Sequence, residues 1–189
     1  VNGNNILGKN KPVILQWNNG EGIIFKKQIE LDNKYLFKIT QQVQNNTSNQ
    51  IELYPYAQIT RNKIPDDIQN FYISHEGFIG VFDEELKEDD YDDIKEKKIV
   101  READSGWFGI TDKYWVTALV PKKGENFKST FLYKDAYKAN YILNKPTTVQ
   151  PSSSNSNEIK LFVAAKEVET IDSYAENQKI EKLDLVIDW

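Results

Sequence analysis

Isoleucine, valine, phenylalanine, tyrosine and tryptophan recur at every second position through most of this chain. A period of two puts alternate side chains on opposite faces of an extended backbone, which is the signature of half-buried β-strands. Strands are expected over residues 12–17, 22–31, 35–43, 51–61, 71–82, 97–101, 114–120, 127–133, 137–143 and 158–164. Asn18-Asn19-Gly20, Asp32-Asn33, Asn45 to Asn49 and Lys122-Lys123-Gly124 punctuate them as turns. At Asp32-Asn33 the expectation is a tight hairpin, since both residue types tolerate positive φ. Residues 146–157, rich in Pro, Ser and Asn, read as a loop.

The pattern changes after Lys166. Val168, Ile171, Tyr174 and Ala175 recur at spacings of 3 and 4, which predicts an amphipathic helix. A dense apolar end follows in Leu183, Leu185, Val186, Ile187 and Trp189, with Asp184 and Asp188 interposed. Many short strands followed by a terminal helix define a large, all-β antiparallel sandwich. The expected division is a β-domain over residues 1–165 and a helical connector over 166–189. That apolar end suits either packing against a sheet or a membrane–water interface.

Composition excludes much chemistry. There is no cysteine, which removes disulfides, thiol catalysis and Cys-ligated metals. There is one histidine, His75, so any triad or His-based general acid–base site must use it. A net charge of −5 argues against nucleic acid as a partner. The acidity is local: residues 83–104 hold 11 acidic and 5 basic side chains. Among the cations, 22 are lysine and 2 arginine. No run of 18 apolar residues occurs, so no segment is expected to span a bilayer as a helix. The chain starts at Val1 and has no methionine, so it is expected to be a piece of a longer polypeptide.

Individual motifs are weak. Gly3 to Asn10 nearly matches a phosphate-binding loop, but Asn10 replaces the hydroxyl and a strand follows, so a polar loop is expected. Read as a calcium loop from Asp90, the acidic run has Lys95 and Arg101 where Gly and Glu are required. Asp89, Asp90, Asp92 and Asp93 are instead a candidate docking surface in a solvated loop. Asn45-Asn46-Thr47 and Asn46-Thr47-Ser48 fit the glycosylation pattern, as an Asn-rich chain does by chance. Trp107, Phe108, Tyr114 and Trp115 concentrate aromatic mass; the expectation is mostly core, with a sugar- or peptide-binding cleft as the alternative. No cofactor or metal is expected.

The order of segments resembles one family. Ser105-Gly106-Trp107-Phe108-Gly109-Ile110-Thr111-Asp112-Lys113-Tyr114-Trp115, running on to Pro121, resembles a Gly-Trp to Lys-Tyr-Trp to Pro segment in the periplasmic domain of the YidC membrane-protein insertases. Phe162-Val163-Ala164-Ala165-Lys166-Glu167 resembles its strand-to-helix passage, with Ala165 and Lys166 departing from the usual Gly and Pro. Leu183 to Trp189 resembles the end of that domain. The resemblance implies an antiparallel β-supersandwich, the fold shared with galactose mutarotases. It implies a non-enzymatic domain on the periplasmic side of the bacterial inner membrane. The implied partners are nascent membrane proteins and the Sec translocase components SecDF and SecYEG, with membrane attachment through flanking helices. The first transmembrane helix and the opening strands of the domain are then expected to lie outside this chain. A mutarotase-like enzyme is the rival, and it requires a carboxylate in hydrogen-bond reach of His75.

Overall fold

The alternating segments form fourteen strands in a computed structural model that describes residues 5–64 and 75–187. In chain order they are β1 Val13–Asn18, β2 Ile23–Leu31, β3 Leu36–Asn45, β4 Ile51–Leu53, β5 Tyr56–Arg61, β6 Gly77–Phe82 and β7 Glu85–Asp90. A short helix α1, Tyr91–Glu96, precedes β8 Ile99–Ala103, β9 Gly106–Thr111, β10 Trp115–Val120 and β11 Phe127–Lys134. Then come β12 Ala136–Leu143, β13 Thr147–Val149, β14 Ser153–Ala165, helix α2 Val168–Asn177 and a 3-10 turn at Leu183–Val186. None of the described helices is long and apolar enough to cross a membrane.

Two units divide the chain. The first comprises the described residues up to Pro55 together with Leu143–Leu161. Its strands run in the order β1-β2-β3-β14, with β13 paired to β4. The β2–β3 hairpin pairs Leu31 with Phe37, and Asp32 N–H donates to Leu36 O. This turn is wider than the sequence implies, and Asp32 does not have positive φ. Its carboxylate accepts from the N–H groups of Lys34 and Leu36 instead, so a side chain closes the loop. Asn45 is fully buried, donates to Asn49 O and Val149 O, and accepts from Thr47 N–H and Oγ1–H. The first glycosylation pattern therefore sits on an internal clamp. Gly8 and Lys11 exchange backbone bonds around Asn10, at φ 56°, so the described end of the phosphate-loop lookalike is a β-turn followed by β1 rather than a helix.

The second unit comprises Tyr56–Ile142 and the described residues from Phe162 onward. The boundary falls inside β14. One strand order is β14-β10-β9-β6-β7 and the other β5-β12-β11-β8. Every residue of β6 is buried, as its continuous apolar run Gly77-Phe78-Ile79-Gly80-Val81-Phe82 requires of a strand covered on both faces. Phe78, Phe108, Phe127 and Phe131 are all at 0% exposure. Their rings meet at centroid distances such as 4.8 Å for Phe78–Phe131 and 5.8 Å for Phe108–Phe127. Burying each such ring contributes roughly 1.5–3 kcal/mol.

The sequence pattern misplaced four elements. Residues 51–61 are two strands, because Pro55 has no N–H to give a ladder and breaks the run. Residues 106–111, which carry two glycines, are a full strand, β9. Within the expected loop at 146–157, Thr147–Val149 is β13 and residues 153–157 lie in β14; both faces of the latter stretch are mostly solvated, so no apolar alternation marks it. The acidic stretch is an edge strand and a helix, β7 and α1, rather than a loop. Of the expected strand at 71–82, residues 71–74 lie outside the described residues, residues 75 and 76 are not strand, and the strand begins at Gly77.

Candidate functional site

Both arginines of this lysine-rich chain pair with aspartates in the second unit. Arg101 forms a two-pronged contact with Asp89, Nη1 to Oδ2 at 2.7 Å and Nη2 to Oδ1 at 2.9 Å. Its guanidinium also lies 5.5 Å from the Phe82 ring centroid and 5.6 Å from that of Phe131. A planar fork fits a carboxylate bidentately and stacks on aromatics, which a lysine ammonium cannot do. Arg61 pairs with Asp112 through Nη1 and Oδ2. Asp112 Oδ1 accepts from the Tyr91 hydroxyl at 3.0 Å. Burial of Tyr91, reinforced by the Asp112 charge, pushes its phenol well above the ordinary tyrosine range.

The predicted docking residues therefore divide. Asp89 is buried and bound to Arg101, and so is structural. Asp90, Asp92 and Asp93 are exposed, the last two in the first turn of α1, where the helix dipole favours acids. The hairpin before them turns on Asp83 and Glu84, both at positive φ, 47° and 74°. Asp83 Oδ1 accepts from the N–H groups of Asp104 and Ser105 and from the Ser105 hydroxyl.

The aromatic candidates divide too. Trp107 and Phe108 are at 0% exposure, within the core. Tyr114 and Trp115 are at 62% and 60%. Trp115 borders a surface pocket of about 280 Å³, with Ile59, Thr60 and Arg61 of β5 on one side. Asp112 and Thr117 complete it with Ile110. Arg61 and Asp112 were not singled out from the sequence. The scarcity of arginine was the one available signal, since the chain spends both arginines on aspartate pairs.

His75 Nε2 lies 2.9 Å from Phe78 O, and Nδ1 lies 3.7 Å from Asp90 Oδ1. The second distance exceeds a hydrogen bond, so the His–carboxylate contact that a mutarotase-like site requires is not made with Asp90.

The terminal segment packs on the same unit. Helix α2 buries Thr170, Ile171 and Tyr174, and Val168 faces solvent. Leu183 and Val186 of the 3-10 turn are buried, while Leu185 and Ile187 are partly exposed. Asp188 and Trp189 lie outside the described residues. Trp107 Nε1–H donates to Glu181 O at 3.1 Å, and Lys182 Nζ donates to Glu84 O at 2.6 Å. Glu181 also pairs with Lys123.

The strands and their pairing define an antiparallel β-sandwich of the galactose mutarotase kind. A solved galactose mutarotase-related enzyme from Lactobacillus acidophilus superposes with a TM-score of 0.56 at 12% identity, covering 82% of this chain and 69% of that one. That likeness concerns the fold alone. The family is fixed by sequence: a model of the YidC periplasmic domain matches residues 2–189, and the chain belongs to that family. The membrane protein insertase YidC of Pelagibacter ubique is 49% identical over 189 residues, covering 100% of this chain and 34% of the relative. That of Cereibacter sphaeroides is 38% identical over 185 residues, covering 91% and 30%. The chain thus spans about a third of the length of these relatives.

Proposed function

We propose that this chain is a non-enzymatic docking and spacing domain on the periplasmic side of a bacterial inner-membrane insertase. The whole protein would insert and fold integral membrane proteins, alone or beside the Sec translocase. The observation that carries this reading is the family match over residues 2–189. The relatives' name, membrane protein insertase, supports the activity assigned to the whole protein.

Within this reading, Asp90, Asp92 and Asp93 form the exposed part of a docking surface for SecDF or SecYEG. Asp89 is excluded from it by its buried pairing with Arg101. Residues 183–189 tie the second unit to membrane-embedded helices elsewhere in the polypeptide. The anchoring contacts are those of Leu183 and Val186, which are buried, and of Glu181 and Lys182, bound to Trp107 and Glu84.

The test is charge reversal of Asp90, Asp92 and Asp93 together in the full-length insertase. Reduced co-purification of SecDF, with an unchanged melting temperature, is the expected result. Undiminished co-purification with both SecDF and SecYEG would refute the docking role.

A further inference from the structure

The pocket beside Trp115 has a chemistry that neither the insertase reading nor the core explains. Trp115 is 60% exposed beside Asp112 and Arg61, whose side chains are 16% and 31% exposed. The two charges are paired, so the pocket floor is polar with no net charge. Asp112 takes Arg61 on one oxygen and Tyr91 on the other. A carboxylate has about four lone-pair sites, which leaves it able to accept from two more donors. Arg61 Nε is buried and, among the described residues, has no hydrogen-bond partner. Thr117 adds a hydroxyl that donates or accepts, and Ile59 adds an apolar wall.

We propose that this pocket binds one neutral hexopyranose ring, stacked on Trp115 and read through its hydroxyls by Asp112, Arg61 and Thr117. The charge pair discriminates between ligand classes. A phosphate or carboxylate would face Asp112, and an ammonium would face Arg61. An apolar group would strip water from both without replacing it. A sugar hydroxyl donates and accepts at once, so adjacent hydroxyls satisfy a carboxylate and a guanidinium lying side by side. The C–H face of the ring covers an indole at the pocket rim. An extended peptide is the competing occupant, because β5 lies at the end of its strand order. Its backbone would satisfy that edge but has no use for the charge pair.

The test is NMR titration of the full chain labelled with ¹⁵N at tryptophan. The probes are methyl glucoside and methyl galactoside, a linear gluco-oligosaccharide, and an uncharged peptide of alternating leucine and serine. Saturable displacement of the Trp115 indole signal by a glycoside or the oligosaccharide is expected. Trp17, 62% exposed in the other unit, should not move. Tighter binding of the oligosaccharide would identify a glycan chain as the source, and equal binding a free sugar. Thr117→Val, which keeps the strand, should weaken binding, and Trp115→Ala should weaken it by about tenfold or more. Displacement by the peptide alone, no response to any saccharide, or equal movement of Trp17 would each overturn the proposal.

Discussion

The indole N–H of Trp107, in β9, donates to the backbone carbonyl of Glu181, 74 positions later and two residues before the terminal 3-10 turn. Trp107 is at 0% exposure, so one core side chain both fills the sheet and holds the end of the chain. Trp107→Phe keeps an aromatic ring but removes the donor, at an expected cost of about 1–3 kcal/mol. The loss should be local. Hydrogen exchange is predicted to accelerate in α2 and the 3-10 turn more than in β6. Uniform acceleration across the unit would show that the bond does not anchor the terminal segment in particular.

The acidic segment predicts a sharp contrast. Asp89→Ala removes a buried carboxylate and leaves the half-buried Arg101 without its partner, which costs about 2–4 kcal/mol. Asp92→Ala and Asp93→Ala remove exposed charges from the first turn of α1, at no more than about 1 kcal/mol each. Urea unfolding of the three variants measures the difference. Equal midpoints would mean that the Asp89–Arg101 fork contributes nothing to stability.

Gly106 begins β9 at φ 121°, and a Cβ placed there would stand 1.8 Å from Val81 O. Gly106→Ala is expected to cost roughly 1–3 kcal/mol from the backbone conformation alone, and more through displacement of β6. A melting temperature lower by several degrees checks this. Gly124→Ala is the control, since its added Cβ meets nothing within 4 Å and only its φ of 83° is strained.

Tyr91 predicts alkaline behaviour. Burial and the Asp112 charge raise its pKa in the folded protein. Above the ordinary tyrosine value of about 10, the unfolded chain has released this proton and the folded one still holds it. The stability contribution is therefore complete below roughly pH 10 and falls as pH rises beyond it. Tyr137, also buried, shifts the same way, through burial first. Spectrophotometric titration should show phenols that ionise only as the protein unfolds. Tyr91→Phe should flatten the alkaline decline in stability; an unchanged slope would remove Tyr91 as its source.

The chain's alternation was enough to specify an antiparallel all-β fold, because a period of two is a property of neighbouring residues. The Gly-Trp to Pro121 segment and the terminal Leu183 to Trp189 were enough to place the family, since those residues stand in order along the chain. Local rules failed where the decisive partner was remote. Nothing near Asp89 distinguishes it from Asp90, Asp92 or Asp93; Arg101 arriving from β8 does. Trp107 and Trp115 look alike in sequence, yet one lies in the core and the other borders a pocket. Asp112 gained its meaning only when β5 brought Arg61 and α1 brought Tyr91 to it. Composition and period set which elements form and which face each residue takes. Burial and charge pairing depend on contacts between elements far apart in the chain, so only the tertiary structure could decide which aspartates and aromatics remain available to a partner.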